Sequence, residues 1–504
     1  MSSFIPDDAS NRMLADNVHP SSWANPKPSG RYNLVVVGGG TAGLVTAAGA
    51  AGLGARVALV EREHLGGDCL NVGCVPSKAL VRAARAAHAV QAGKDLGAHA
   101  GTLTVDFGEV MARMRRLRAS LSPNDSAARF RSLGVDVYFG QASFSGRDEV
   151  TVAGERLRFA RAVIATGARA TGLPIPGLAE AGFLTNETVF SLTERPARLM
   201  VIGAGPVGCE LAQAFSRFGS QVTLFEVAAH VLPREDPDAA AILERRLVAE
   251  GIRLHCGVTI VAVERRGGES VIRFTGGEGG AAPREAAGDA ILLGVGRAPN
   301  LEGLGLEAAG VAYERNGVTV NDRLETSNPA IYAAGDICSP YKFTHAADAM
   351  ARIAIQNALF FGRKKVSSLV IPWATYTDPE IAHVGLYPHE AKERGFELAS
   401  FTIELNDVDR AVLDGATEGF ARAHVIRGSD KLAGVTIVAE HASELIAEAT
   451  LAMTNGLGLA ALSSTIHPYP TQAEALRKLG DAYNRTRLTP FAARLLRTVL
   501  RLRR

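Results

Sequence analysis

Tyr32-Asn33-Leu34-Val35-Val36-Val37-Gly38-Gly39-Gly40-Thr41-Ala42-Gly43 carries a strand-like apolar run straight into a glycine turn. An alanine-rich helix pattern follows, and then a second strand-like run, Arg56-Val57-Ala58-Leu59-Val60-Glu61. This is the order of a dinucleotide-binding βαβ unit. The glycines permit the tight turn and the close approach of backbone to a pyrophosphate, and the acid ending the second strand accepts hydrogen bonds from ribose hydroxyls. The order returns at Arg198-Leu199-Met200-Val201-Ile202, Gly203-Ala204-Gly205-Pro206-Val207-Gly208 and Gln221-Val222-Thr223-Leu224-Phe225-Glu226. Gly38 to Glu61 and Gly203 to Glu226 are each 23 residues apart. One glycine fingerprint is weak evidence. Two, each with strand, helix and acid in register, predict an α/β chain with two Rossmann-like dinucleotide-binding domains.

Between the copies stands Gly66-Gly67-Asp68-Cys69-Leu70-Asn71-Val72-Gly73-Cys74-Val75-Pro76-Ser77-Lys78. Residues five apart on a regular helix are rotated by about 140° and separated by about 7.5 Å of rise, beyond the reach of a disulfide. The segment is therefore expected to be a distorted first turn or a loop, with Gly66, Gly67 and Gly73 supplying backbone freedom. A helix continuing through Lys78 would aim its amides at the sulfurs and favour a thiolate. Two unpaired core cysteines or half a metal site are the competing readings, and no second Cys/His cluster stands nearby to complete a zinc tetrahedron. The first nucleotide unit feeds directly into the pair, so it is expected to hold FAD with its ring against the sulfurs. At the second unit Glu226 would repel a 2′-phosphate, and Val227, Ala228 and Ala229 offer no arginine, which favours NAD(H) over NADP(H).

The chain of 504 residues is 47% hydrophobic, enough for several cores. Its five cysteines are sparse, and Cys209, Cys256 and Cys338 have no partner close in sequence, so a cytoplasmic protein with one working disulfide is expected. The first thirty residues hold early acids and no apolar run, unlike a signal peptide, and no stretch approaches eighteen uninterrupted apolar residues. Net charge is +2, yet residues 485–504 carry seven arginines and no acid, so the rest of the chain is net negative and suggests no nucleic-acid partner.

By these motifs the chain resembles the class I pyridine nucleotide-disulfide oxidoreductases, the family of dihydrolipoamide dehydrogenase, glutathione reductase and mercuric reductase. The likeness spans roughly residues 31–480. It rests on the 66–78 motif together with Ala165-Thr166-Gly167, Gly294-Val295-Gly296-Arg297-Ala298-Pro299-Asn300, and Thr326 through Ala333-Ala334-Gly335-Asp336. The resemblance implies FAD contacts at Gly38, Gly40, Thr41, Ala42, Gly43, Glu61, Lys78, Ala165, Thr166, Gly167, Gly296 and Asp336, with His345 near the isoalloxazine. Nicotinamide dinucleotide contacts fall at Gly203, Gly205, Pro206, Val207, Gly208 and Glu226. Lys78 is expected at the flavin N5 edge, paired with Glu210. Reducing equivalents are expected to pass from NADH through FAD to a Cys69–Cys74 disulfide, with Cys74 nearer the ring and Cys69 as the interchange thiol.

One stretch departs from the dihydrolipoamide dehydrogenase pattern. That branch has a histidine five residues before a C-terminal glutamate, where it moves the thiol proton. In His467-Pro468-Tyr469-Pro470-Thr471-Gln472-Ala473-Glu474, five back from Glu474 is Tyr469, and a phenol is a poor base at neutral pH. Either His467 serves as the acid/base or proton transfer is not the task. A tyrosine here resembles the mercuric-reductase branch, and two soft thiolates suit a soft metal ion. The expected acceptor is such an ion or a disulfide. Dihydrolipoyl dehydrogenase, another small-disulfide or quinone reductase, and a non-enzymatic flavin redox sensor are the alternatives. No resident metal site is expected.

The expected organisation is an N-terminal extension (1–30), an FAD-binding part with the cysteine pair (31–180), an NAD(P)-binding domain (181–305), a second FAD-binding, central part (306–370), a C-terminal α+β dimerisation domain (371–485) and a basic tail (486–504). Alternating runs such as Gly434-Val435-Thr436-Ile437-Val438 and a helix pattern over 443–455 mark this C-terminal region, and the resemblance implies that it is a dimer interface whose stretch around Tyr469 completes the other subunit's cysteine pocket. A homodimer is thus the expected active unit. In the tail Leu488, Phe491, Leu495, Val499 and Leu502 recur at helical spacing with Arg494, Arg497, Arg501 and Arg504 on another face, a pattern that suits a solvated helix, one clasped to the partner subunit, or one lying on an anionic membrane surface.

Overall fold

The computed structural model describes residues 4–99 and 101–504. By its internal contacts the chain divides into two compact units, Met1–Val227 with Glu250–Leu369, and Ala228–Ala249 with Val370–Arg504.

The first unit begins with helix α1 (Ala9–Val18), capped by the Asp8 carboxylate, which accepts from the Asn11 amide. Its Leu14 and Val18 are fully buried, so the early part of the N-terminal extension is packed rather than free. Strand β1 (Tyr32–Val37) leads through the glycine turn into α2 (Thr41–Gly52) and back to β2 (Val57–Glu61). The cysteine motif forms α3 (Gly67–Asn71) and α4 (Cys74–Ala92), followed by α5 (Phe107–Leu121) and β3 (Val135–Phe139). Strands β4 (Ser143–Gly146), β5 (Glu149–Val152) and β6 (Glu155–Ile164) form an antiparallel meander whose last strand runs back parallel to β1.

The resulting seven-stranded sheet has the order β3-β2-β1-β6-β5-β4, and the short strand Ile331–Ala333 pairs with the end of β6. Its core includes Val35, Val37, Val60, Phe159 and Ile164, each at most 2% exposed. β1 is buried at four consecutive positions, which explains its near-continuous apolar run. The edge strand β3 is covered by the N-terminal segment. The Asn25 side chain bonds both the carbonyl (2.9 Å) and the amide (2.8 Å) of Phe139, and the Trp23 indole donates to the Val137 carbonyl at 3.1 Å. Side chains thereby occupy an edge that would otherwise invite another strand.

The second nucleotide unit has four parallel strands, with Arg198–Ile202 lying between Gln221–Phe225 and Ala290–Leu293 and Arg253–His255 at the edge. The segment Ala228–Ala249, expected within this domain, has its contacts with the C-terminal unit instead.

The C-terminal unit is an antiparallel sheet in the order Pro372–Thr375, Glu380–Gly385, Leu432–Ala439, Phe420–Ile426, Leu398–Glu404. Helix Ala442–Thr454 meets the pattern expected over 443–455. Alternation misjudges one strand: all eight residues of Leu432–Ala439 are buried, because it is the central strand. The tail forms a helix, Pro490–Leu502, capped by Thr489, and none of its thirteen residues is buried.

Candidate active site

Gly66 and Gly67 turn the chain into α3 at φ 89° and 54°, the left-handed region that favours glycine. The helix lasts five residues. Val72 donates its amide to the Asp68 carbonyl at 2.9 Å, and Gly73 then breaks the backbone before α4 begins at Cys74. A Cβ at Gly73 would lie 2.7 Å from the Asp68 carbonyl oxygen, so only glycine lets the chain fold back this tightly. The expected distorted turn is thus a helix, a break and a second helix, and it brings the Cys69 thiol into hydrogen-bond contact with the Cys74 sulfur.

Both cysteines are thiols in this structure. Cys74 is the first residue of α4, whose N-cap, Gly73, supplies no side-chain cap. Its acidity is raised, with the pKa lowered to about 6, first by the hydrogen bond from Cys69 and, against burial, by the Thr344 hydroxyl and the Lys78 ammonium. The Thr344 Oγ1 lies 3.5 Å from the Cys74 sulfur, at the start of helix Thr344–Leu359. Cys69 moves the opposite way, because its proton is shared toward Cys74 and burial penalises its thiolate. The reduced pair therefore carries its negative charge on Cys74.

Lys78 is four residues after Cys74, on the same helix face. Its Nζ meets the Glu210 carboxylate at 2.8 Å, the pairing expected from the sequence, with the Glu210 side chain only 5% exposed. Arg297 forms ion pairs with Asp68, the residue before Cys69, and with Asp336 at 3.6 Å, and also donates to the Ala168 carbonyl. Burial raises the Asp336 pKa, opposed by Arg297 and Lys342. Arg297, Asp68 and Thr344 are not among the residues that the sequence motifs single out. The only available signal was their position beside selected residues.

Both glycine fingerprints fit a dinucleotide. A Cβ at Gly43 would come within 1.8 Å of the Gly38 carbonyl, and one at Gly208 within 1.9 Å of the Gly203 carbonyl, so each turn closes only on glycine. Both α2 and helix Pro206–Arg217 begin after a glycine that supplies no side-chain cap, so no capping side chain competes with a phosphate at either helix start. Glu61 accepts from the Gly39 amide at 2.6 Å, and Glu226 from the Ala204 amide at 2.7 Å, fixing both acids beside their turns. A cleft at the strand ends is lined by Gly38, Glu61, Arg62, Gln141, Thr166 and Asn300. Thr166 and Asn300 are cross-linked at 2.8 and 2.9 Å, which joins Ala165-Thr166-Gly167 to the Gly296-containing motif. His345 stacks on Phe343 with ring centres 5.4 Å apart, next in sequence to Thr344.

In the C-terminal unit Tyr469 is 72% exposed and donates to the Asp409 carboxylate at 2.8 Å, which raises its pKa and makes it a still poorer base. Both His467 nitrogens are engaged, one with Glu448 at 2.9 Å and the other with the Thr465 carbonyl at 3.0 Å. Glu474 pairs with Arg477 at 2.7 Å. Among the described residues no group of three or more His, Cys, Asp and Glu is placed to hold a metal, and no helix is long and apolar enough to cross a membrane.

Two nucleotide-binding turns with a cysteine pair at a helix N-terminus define a flavin- and nicotinamide-dependent oxidoreductase. The chain belongs to the pyridine nucleotide-disulphide oxidoreductase family, which it matches over residues 32–351, with the family's dimerisation domain at 371–479. FAD and NAD(P)H are accordingly its cofactors, and the second match supports a homodimer. It is 34% identical to a mercuric reductase of Staphylococcus aureus, over 89% of this chain and 82% of the relative. It is 36% identical to a dihydrolipoyl dehydrogenase of Thermus scotoductus, over 90% and 98%. Among solved structures, the HOCl-induced flavoprotein disulfide reductase RclA of Escherichia coli superposes with a TM-score of 0.79 at 28% identity, covering 89% of this chain and 99% of that one. LpdA of Mycobacterium tuberculosis does so at 0.81 and 28%, covering 90% and 99%.

Proposed function

We propose that the protein is an NADH-dependent reductase that delivers electrons through Cys69 and Cys74 to a soft metal ion or a disulfide. The observation that carries this reading is the thiol pair itself, with its charge drawn onto Cys74 by Cys69, Thr344 and Lys78. A bound FAD supplies two-electron transfer between the nicotinamide and the cysteine pair. The glycine turns, Glu61 and Asp336 hold the first dinucleotide, and the Gly203 turn with Glu226 holds the second. Glu226 favours NADH, because a 2′-phosphate would meet a carboxylate already fixed by Ala204.

Toward a disulfide acceptor, the Cys69 sulfur attacks one acceptor sulfur after losing its proton, and the other leaves as a thiol. The Cys74 thiolate then attacks Cys69, closing the internal disulfide and releasing the second acceptor sulfur. Two electrons and two protons reach the acceptor, one proton from Cys69 and the other from solvent, because Cys74 reacts as a thiolate. For that route Cys69 needs a base, and Tyr469 is a poor one. A soft cation bound by both sulfurs displaces the Cys69 proton to solvent as it coordinates, because coordination itself acidifies a thiol, so that route needs no positioned base. This favours the metal reading, as does the solution of RclA as a Cu(II) complex. A small-disulfide reductase of the dihydrolipoyl type is the second reading, supported by the 36% identity to that relative.

The test is an anaerobic NADH titration of wild type and Cys74→Ser, followed by turnover with Hg(II), Cu(II), lipoamide, glutathione disulfide and a quinone. Loss of the long-wavelength thiolate-to-flavin band in the variant is expected, and its persistence removes Cys74 from its role. Tyr469→His is expected to raise disulfide turnover; no gain would mean that the pocket is shaped for another acceptor.

The tail is proposed to touch an anionic membrane surface. Its helix exposes Phe491, Leu495 and Val499, with Arg494, Arg497 and Arg501 on another face. Flotation with phosphatidylglycerol vesicles is expected for the full chain and lost on removing residues 486–504; equal flotation rejects the contact.

A further inference from the structure

Arg118 is a buried cation, 3% exposed, on α5. Its two terminal nitrogens reach in different directions. One donates to the Asn71 carbonyl at 2.6 Å, at the end of α3 between the two cysteines, and the other to Asn11 Oδ1 at 2.7 Å, on the N-terminal helix α1. A buried guanidinium is costly unless it is hydrogen-bonded, so the two acceptors share the task of holding it in place. Burial has the same direction in its acidity, lowering its pKa to about 10.

Asn11 is in turn fixed from both sides. It is 2% exposed, its Nδ2 donates to the Pro6 carbonyl at 2.8 Å, and its amide donates to the Asp8 cap. Asp8 is held by Arg115, one turn before Arg118, at 2.5 Å. The Phe4 ring lies 5.1 Å under the Arg118 guanidinium. The same segment meets the entry to the cysteine motif, where the Leu65 amide donates to the Val18 carbonyl at 3.0 Å and the His19 ring contacts the Glu63 carbonyl. Residues 4–19 thus grip the motif on both sides, at 63–65 and at 71. All of them lie before residue 32, where the family match begins.

We propose that the N-terminal helix is a positioning element for the cysteine pair, acting through the Asn11–Arg118–Asn71 bridge. The Asn71 carbonyl sits immediately before the Val72-Gly73 break that sets the sulfur-to-sulfur geometry, so freeing it re-aims Cys69 against Cys74. Arg118 touches neither sulfur and is a positioning residue. The inference rests on the reading of Cys69 and Cys74 as a working redox pair.

The experiment compares the full-length protein with Asn11→Ala, Arg118→Lys and the control Asn17→Ala, which removes a different anchor of α1, its 2.9 Å bond to Ser122. Two readouts need no turnover. These are the rate of iodoacetamide alkylation at Cys74 across pH 4.5 to 9, resolved by peptide mass spectrometry, and the dithiol–disulfide equilibrium in glutathione buffers. Asn11→Ala and Arg118→Lys are each expected to change the pH 5.5 alkylation rate or the equilibrium constant by about threefold or more, the effect of roughly half a pH unit on a thiolate fraction. Lysine keeps the charge but cannot span two acceptors, so it is not expected to rescue. Asn17→Ala is expected to match wild type.

Wild-type behaviour of Asn11→Ala in both readouts would overturn the proposal, as would an equal effect of Asn17→Ala. Should Arg118→Lys fail to fold, Asn11→Ala decides alone. A wild-type protein that never forms the Cys69–Cys74 disulfide would instead defeat the redox reading itself, a result distinct from variants that match a normal wild-type couple.

Discussion

Cys74 and Lys78 share one turn of helix, and this places a positive charge beside the thiolate before any tertiary contact is made. Glu210 partly cancels that charge from another element. The two substitutions should therefore act in opposite directions. Lys78→Met is expected to move the Cys74 alkylation midpoint above its wild-type position near pH 6, and Glu210→Gln to move it below. Peptide-resolved alkylation against pH reads both, and shifts of the same sign would show that the pair acts on the thiol by some route other than charge. The residues of this site were legible where they lie in a motif of fixed spacing, as Cys69, Cys74, Lys78 and Asp336 do. Thr344 and Arg118 were not, because their contacts join residues 270 and 47 positions apart and leave no periodic trace.

At the scale of elements, both βα turns depend on a glycine in the first turn of the helix, where a side chain would overlap the preceding carbonyl. Gly208→Ala puts a Cβ 1.9 Å from the Gly203 oxygen, an overlap that forces the turn open. It is expected to weaken NADH binding by tenfold or more, about 1.4 kcal/mol, while flavin content stays at the wild-type level. Isothermal titration with NADH and the flavin-to-protein absorbance ratio measure the two effects. Loss of flavin as well would mean that the two nucleotide folds are not energetically separate. The turns, strands and acids were readable because local steric rules dictate them. The end of α3 at Val72 was not, since it depends on how Gly73 folds over Asp68.

On the whole-molecule scale, histidines in the C-terminal unit couple stability to pH. Burial lowers the pKa of His383 to about 3 and of His424 to about 4. In the unfolded chain both would titrate near 6.5. Above that pH neither state binds the protons and stability is complete. Below it the unfolded chain takes up protons that the folded one refuses, so stability falls as the pH drops from about 6.5 toward 4, by up to about 1.4 kcal/mol per pH unit for each histidine. Denaturant unfolding at pH 7.5 and pH 5 should show this loss. His424→Met should reduce the slope by one proton's share, and an unchanged slope would remove His424 from the account.

The sequence alone determined what short-range chemistry dictates: two nucleotide folds from their glycine and acid spacing, a cysteine pair too widely spaced for one regular helix, a sheet-bearing C-terminal region and an amphipathic arginine helix. Each is a pattern repeated within a few turns or strands. Only the tertiary structure decided what holds the cysteine loop, because that rests on long-range bonds. Arg118 links an N-terminal helix to the Asn71 carbonyl, and Arg297 links Asp68 to Asp336. A buried charge takes whatever acceptors the folded chain brings near it, and their positions in sequence carry no mark of the meeting.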